Sequence, residues 1–288
     1  MEHLALEKIK LKRMIETDMT NEQFSFISTV FFREDLVLET LRGKLLGCNF
    51  KRHISTKVCQ DIVKRFWDSP ELKSRGDEVK ALQLGAFHYK KPLNEYFDEA
   101  EKSTKTLDNI VGSDINPVDY VINRLKEYFN TVGINLRQAT YKEKKAGKFT
   151  IRAASPSPGG IILPHEDMAQ CLLDIQKGFE IQNVASYRVV GVNICLQNDN
   201  EGKLRCWNLK PTNMLREILG VKESGYPYPS EILTDVMSLD VPIGVGDIYF
   251  FDASNVHAVC SNLDAEGYRT TISFFMGFLD ENTVAYWT

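Results

Sequence analysis

Hydrophobic positions along this chain keep a helical interval at first, and near residue 135 the interval shifts towards two. Leu4, Ile9, Leu11, Met14 and Ile15 form a loose helical stripe, and Thr20 and Gln23 stand at capping-box spacing ahead of the next segment. Residues 43–50 read as a first strand. Ser55 or Thr56 caps a helix with Val58, Ile62, Val63, Phe66 and Trp67 on one face, ending near Pro70. Residues 79–89 are apolar enough for a strand. Pro92 opens a helix with Leu93, Tyr96, Phe97, Leu107 and Ile110 inward. Asn116-Pro117 starts a third with Val118, Val121, Ile122, Leu125 and Phe129 buried, and Gly133 closes it.

The second half predicts strands at 135–142, 148–154, 160–166, 186–196, 204–209, 247–252, 256–260 and 268–277, with hairpin-style turns at 198–202 and 262–267. Short helices are expected at 168–178 and 213–219, and 221–230, rich in Gly, Pro and Tyr, reads as a long loop placed to serve as a lid. No repeat or linker divides the chain. The expectation is an α+β fold, one domain over 1–288: a jelly-roll (double-stranded β-helix, cupin-like) core at 135–288, supported by a mainly helical 1–134.

The chemistry gathers at Gly159-Gly160-Ile161-Ile162-Leu163-Pro164-His165-Glu166-Asp167. Residues two apart on a strand share a face, so His165 and Asp167 can grip one metal while Glu166 turns away. The helical metalloprotease pattern fails, because position 169 is Ala169. His257 is the candidate third ligand, and Arg269 follows twelve positions on, inside the strand-like run Tyr268-Arg269-Thr270-Thr271-Ile272. Two histidines and a carboxylate on one face of a metal make the non-haem Fe(II) oxygenase site. Alone, His165 would read as a hydrogen-bonded core histidine; its company changes the reading. An arginine inside so apolar a strand must meet an anion, because burying its charge unpaired is costly. Glu166 reads first as a solvated or hydrogen-bonded neighbour. Arg152 reads first as structurally paired and second as a neighbour of the substrate or co-substrate. His53 and His88 have no carboxylate at metal-strand spacing and no expected metal role. Trp67, Trp207 and Trp287 read as packing residues, Trp287 with pocket closure as its second reading.

Composition narrows the partners. Among 288 residues the net charge is −4 and the pI about 5.8, so there is no global basic field for nucleic acid, and Lys142-Glu143-Lys144-Lys145 reads as a solvated turn. Six cysteines without a CxxC pair fit small buried hydrophobes in a reducing compartment. The chain start lacks a secretory hydrophobic core, and no apolar run approaches the roughly 20 residues that span a bilayer. The expectation is a cytoplasmic protein, monomeric or weakly dimeric, acting on a small molecule and binding neither nucleic acid nor membrane.

With His165, Asp167, His257 and Arg269 in hand, the chain resembles the Fe(II)/2-oxoglutarate-dependent oxygenases. Within them it is most similar to the small aliphatic halogenases and hydroxylases of natural-product tailoring, such as the welwitindolinone-type halogenases. The resemblance spans about 40–288; it is carried by Phe149-Thr150-Ile151-Arg152, by the metal strand, and most tightly by 257–287 with its terminal Tyr286-Trp287. It implies that His165, Asp167 and His257 hold Fe(II), that Arg269 pairs bidentately with the distal carboxylate of 2-oxoglutarate, and that Thr271 donates a hydroxyl to it. It further puts Ser186 near the open coordination site, and Ile162 and Phe87 on the substrate pocket. Those halogenases carry glycine or alanine at the acidic ligand, leaving room for chloride. Asp167 stands there in this chain, so the resemblance implies O2-dependent hydroxylation with release of succinate and CO2. Desaturation or ring closure would use the same oxidant, and halogenation on the same scaffold is a further alternative.

Two rival readings stay open at this point. One is a non-catalytic jelly-roll module that binds a small molecule; retention of all three ligand types weighs against it. The other is a cupin-type isomerase or dioxygenase without co-substrate, which would have no need of Arg269.

Overall fold

Eight strands from the second half of the chain divide between two facing sheets, seven of them where the period-two pattern predicts. The structure is a computed structural model that describes residues 17–76, 79–112, 116–156, 160–199, 201–261 and 266–288. The stripe from Leu4 to Ile15 lies outside these residues. The strands are β1 (Phe26–Thr29), β2 (Gly47–Phe50), β3 (Lys73–Ser74), β4 (Ala81–Leu84), β5 (Asn135–Gln138), β6 (Thr140–Tyr141), β7 (Lys144–Lys145) and β8 (Thr150–Ala154). They continue as β9 (Ile162–His165), β10 (Val190–Asn198), β11 (Lys203–Trp207), β12 (Ser238–Pro242), β13 (Ile248–Asp252), β14 (His257–Cys260), β15 (Arg269–Asp280) and β16 (Thr283–Trp287). The larger sheet runs β1-β2-β13-β10-β15-β8-β4-β3, with β16 bridging β15 and β5, and the smaller runs β12-β11-β14-β9. Strands β8 to β15 therefore supply four neighbours to each sheet, which is a jelly roll.

Helices α1 (Glu34–Leu41), α2 (Thr56–Trp67), α3 (Leu93–Val111) and α4 (Pro117–Thr131) precede the roll, and three of them begin where the sequence signals it. The Ser55 side chain accepts from the Val58 N–H; Asn116 accepts from Val118 and Asp119, with Pro117 in the first turn. Ile62 and Phe66 of α2, Leu107 and Ile110 of α3, and Leu125 and Phe129 of α4 pack with Ile151, Val192, Ile194, Phe250 and Ile272 of the larger sheet in one buried cluster. Their strand neighbours Cys195, Tyr249, Phe251 and Phe275 belong to a second cluster inside the roll. Strand alternation thus gives one face of the sheet to the helices and the other to the site.

Several elements escape the sequence reading, the short strands β1, β3 and β7 among them. Thr20 and Gln23 do exchange capping-box hydrogen bonds (3.0 and 3.4 Å), but around a turn; the helix that follows is α1, which has no side-chain cap to announce it. Strand β12 is mostly exposed and β16 almost wholly buried, so neither alternates. The expected strand at 186–196 begins only at Val190, and 180–186 forms a 3-10 helix. The short helices are α5 (Met168–Cys171), α6 (Asn213–Ile218) and α7 (Ser230–Leu233).

Candidate active site

Antiparallel pairing of β9 with β14 sets His165 directly opposite His257, their ring centroids 4.1 Å apart. Each ring gives its Nδ1–H to a carbonyl two residues back, His165 to Leu163 (2.8 Å) and His257 to Asn255 (2.9 Å). That fixes the tautomer and turns both Nε2 lone pairs inward. Asp167 does not arrive by strand alternation, as the sequence suggested. Strand β9 ends at His165; Asp167 sits at φ −104°, ψ −3° as the cap of α5, its N–H bonded to the Ala253 carbonyl at 2.8 Å. Its Oδ2 lies 3.3 Å from His257 Nε2, and its Oδ1 accepts from Gln170 Nε2 at 2.9 Å.

One ligand atom from each of the three residues lies within 4.8 Å of the other two. Burial, then the neighbouring His257, hold the His165 imidazole down to about 3, so it stays neutral. Burial would raise the Asp167 carboxyl, but its hydrogen bond to His257, and its interactions with the two imidazoles and Arg152, hold it at about 2. Two imidazoles and a carboxylate, buried and convergent, fit Fe(II) by both donor type and arrangement.

Arg269, Thr271, Ser273 and Phe275 alternate along β15 and line the same pocket. Arg269 is 4% exposed; one guanidinium nitrogen donates to Asn198 Oδ1 (3.1 Å) and the Gly202 carbonyl (2.8 Å), the other to the Tyr249 hydroxyl (3.0 Å). All three acceptors are neutral, and among the described residues no carboxylate pairs with it. A buried cation in this condition fits a dianionic co-substrate. The Tyr249 hydroxyl accepts from Arg269 and so keeps its own proton to give. Thr271 is less ready: Ser273 Oγ donates to Asn193 Oδ1 (2.6 Å), so the Thr271 proton goes to Ser273 (3.0 Å). Serving a carboxylate requires that hydroxyl to rotate.

Glu166 turns away from the triad, but into the protein and not into solvent. It is fully buried; Oε2 accepts from Met168 N (2.7 Å) and Ala169 N (3.1 Å), and Oε1 from Arg216 Nε (2.9 Å). Its own N–H bonds the Gly225 carbonyl at 2.9 Å, and Tyr228 N bonds the Pro164 carbonyl at 2.8 Å. A Cβ on Gly225 (φ +62°) would stand 2.4 Å from the Glu166 carbonyl oxygen, so only glycine allows this approach. The segment 221–230 is therefore fastened to the metal strand as a wall, with the Tyr226 ring 6.0 Å from His165, and the expectation of a lid is corrected.

Of the other expected residues, Ile162 lines the pocket. Phe87 is buried behind the lining, beneath Arg75 and Arg152. Ser186 is exposed at the end of the 3-10 helix and outside the pocket wall, because β10 starts four residues later than expected. His53 bonds Tyr120 and His88 bonds Gln176. The six cysteines are free thiols, five of them buried. The sequence reading missed Arg75, Asn193, Tyr249 and Ser273. Alternation from Arg269 could have found Ser273; nothing local marks Arg75.

No family model matches the chain. It is 32% identical over 247 residues to the L-isoleucine 3(1)-dioxygenase of Pantoea ananatis (strain AJ13355), covering 83% of this chain and 82% of that protein. Solved structures similar to it include the non-heme alpha-ketoglutarate-dependent epimerase SnoN of nogalamycin biosynthesis, at 14% identity and TM-score 0.49 over 83% of this chain and 80% of that one. HygX from Streptomyces hygroscopicus, with nickel and 2-oxoglutarate bound, matches at 15% identity and TM-score 0.43 over 85% and 86%. The chain belongs to the Fe(II)/2-oxoglutarate-dependent oxygenases. It is a dioxygenase, and it uses Fe(II), 2-oxoglutarate and O2 to hydroxylate a small molecule.

Proposed function

We propose that the enzyme hydroxylates the aliphatic side chain of a free, branched amino acid of the isoleucine kind. One observation carries this reading. Val79, Ala81, Ala154, Ile161 and Val259, with Ile162 and Tyr226 against them, form an apolar cluster separate from the larger cores, and every member lines the pocket. Ile162 opens the strand that ends in His165, so the wall runs about 10 Å along β9 to the triad. Such a wall suits a branched hydrocarbon chain, and the relative named above is an isoleucine dioxygenase.

In this reading His165, Asp167 and His257 hold Fe(II), and Arg269 holds the distal carboxylate of 2-oxoglutarate with Tyr249 and Thr271 beside it. When bound, iron, 2-oxoglutarate and O2 together supply an oxidant able to break an unactivated C–H bond. The chain's own residues orient and shield. Gln170 holds one Asp167 oxygen and leaves the other facing His257. The Phe251 ring meets His257 edge-on at 4.8 Å, in space left by Gly191, where a Cβ would lie 2.7 Å from that ring. The Asp167 carboxylate also disfavours halide at its coordination position, so hydroxylated product should exceed chlorinated product in chloride buffer.

The test is succinate release, with mass analysis of product, across a panel of free amino acids. Branched aliphatic members should raise succinate well above background and gain one oxygen atom. Stimulation by polycyclic or carrier-bound compounds alone would overturn the reading. No described helix is long and apolar enough to cross a membrane. We further propose that residues 1–288 work as one oxygenase domain, that the enzyme acts in the cytoplasm, where free thiols persist, and that it is a monomer or weak homodimer, to be checked by light scattering.

A further inference from the structure

Residues 252–256 lead from β13 into β14, and two of the three candidate metal ligands lean on them. The Ala253 carbonyl accepts from the Asp167 N–H at 2.8 Å, and the Asn255 carbonyl accepts from His257 Nδ1 at 2.9 Å. His165 is steadied elsewhere, by Leu163 of its own strand. Whatever fixes the 252–256 segment therefore fixes where Asp167 and His257 point.

Part of that fixing is local. Ser254 N bonds Asp252 Oδ1 at 3.0 Å, Ala253 N bonds the Val189 carbonyl at 2.8 Å, and Val256 N bonds the Leu209 carbonyl at 2.8 Å. The Asn255 side chain is held differently. Its Nδ2 donates to Asp252 Oδ2 and to Asp18 Oδ2, each at 3.2 Å, while its Oδ1 is buried without a hydrogen-bond partner. Carboxylates only accept, so the amide nitrogen must face them, and the orphaned oxygen is the consequence. One of the two anchors thus comes from Asp18, 237 positions earlier in the chain.

Asp18 is itself fastened. Arg188 donates to its Oδ2 at 2.6 Å and its Oδ1 at 3.3 Å, and the same guanidinium serves Asp252. Gly43 (φ +69°) makes room for that guanidinium, since a Cβ there would stand 2.1 Å from Arg188 Nε. The next residue, Met19, exchanges two backbone bonds with the Asn208 side chain just after β11, at 2.8 and 2.7 Å. Residues 18–19 therefore run past the 252–256 segment as a strap, pinned on Arg188 and on Asn208. None of Asp18, Met19, Arg188, Asn208 and Asn255 lines the pocket. We propose that Asp18 is a positioning residue for the metal centre: by holding the Asn255 side chain it aims the Asn255 carbonyl at His257 and keeps the Ala253 carbonyl on Asp167. It couples the 18–19 segment to iron affinity without touching iron, co-substrate or substrate. This rests on the ligand assignment made above.

Anaerobic competition of the full chain with a coloured chelator reads the Fe(II) Kd without turnover, and the visible bands of the Co(II) form read ligand geometry. Asp18→Ala and Asn255→Ala should each weaken Fe(II) binding about 10-fold and alter the Co(II) bands. The double variant should also lose about 10-fold, not about 100-fold, because both changes act through one contact. Phe129→Leu, fully buried in α4 on the helix side of the larger sheet, should lower the urea midpoint. Its Fe(II) Kd should stay within about twofold of wild type, and a merely structural Asp18 would behave like it. If Asp18→Ala does not fold, Asn255→Ala, which keeps every charge and the backbone carbonyl, decides alone. Unchanged Fe(II) affinity in either folded variant, or losses that multiply in the double variant, would overturn the positioning role and leave the ligand assignment standing. His257→Ala tests that assignment separately: if it binds Fe(II) as wild type does, the assignment fails, and the role of Asp18 with it.

Discussion

Arg216 and Arg269 are each 4% exposed, and the fold treats them in opposite ways. Arg216 meets the Glu166 carboxylate at 2.9 Å, and Asn213 takes another of its donors at 2.8 Å. Arg188 follows the same rule, paired with both Asp18 and Asp252. Arg269 meets only neutral oxygens. A buried charge balanced from within the chain is architecture; here it ties α6 to the end of the metal strand. A buried charge left unbalanced costs stability and marks where a ligand of opposite charge belongs. His88 shows a third solution. It accepts from Gln176 at 2.6 Å, and burial, the largest influence, holds its pKa down to about 4, so it stays neutral.

The sharpest way to break this contrast is Glu166→Ala. It strands Arg216 as an uncompensated buried cation and should cost about 3–5 kcal/mol in urea unfolding; a loss under about 1 kcal/mol would mean the pair is not structural. Arg269→Gln should behave in the reverse sense. Metal-free stability should stay the same or rise, while the thermal stabilisation that 2-oxoglutarate gives the iron-loaded protein, about 2–3 kcal/mol at saturating ligand, should vanish. His88 provides the pH arm. The folded protein refuses a proton that the unfolded chain takes near 6.5, so its contribution is complete above that value and is lost as pH falls towards 4. That loss is about 2 kcal/mol by pH 5, and His88→Gln should flatten the metal-free stability profile between pH 6.5 and 4 accordingly. Thr271→Val is expected to have the smallest effect, about 1 kcal/mol in 2-oxoglutarate affinity, because its hydroxyl is already engaged with Ser273.

What the sequence disclosed follows the same division. Helices α2, α3 and α4 announce themselves through caps and apolar stripes, and the strands of the roll through alternation. The site residues that share one strand are legible for that reason: Thr271 follows from Arg269 by a step of two. His257 required chemical reasoning, because its partnership with His165 is a cross-strand register that no local pattern encodes. Asp167 was found by a correct spacing and an incorrect conformation; two positions past a histidine reaches the same site through a turn as well as along a strand. Ser186 went astray with the strand assigned to it. Glu166 with Arg216, and Arg75 with Phe87, join distant segments, and single residues carry no sign of such contacts. The 221–230 loop looked like a lid because Gly and Pro content reports turns, whereas the bonds that fasten it come from Glu166 and Pro164.

The account turns on a buried arginine kept for a diacid next to three convergent metal ligands. Anaerobic titration of the Fe(II)-loaded protein with 2-oxoglutarate, followed by the weak visible charge-transfer band of a chelated 2-oxo acid, tests this directly. Wild type should develop the band and saturate, and Arg269→Gln should need at least about 30-fold more 2-oxoglutarate to do so. An unchanged titration in that variant, or no band in wild type, would contradict it.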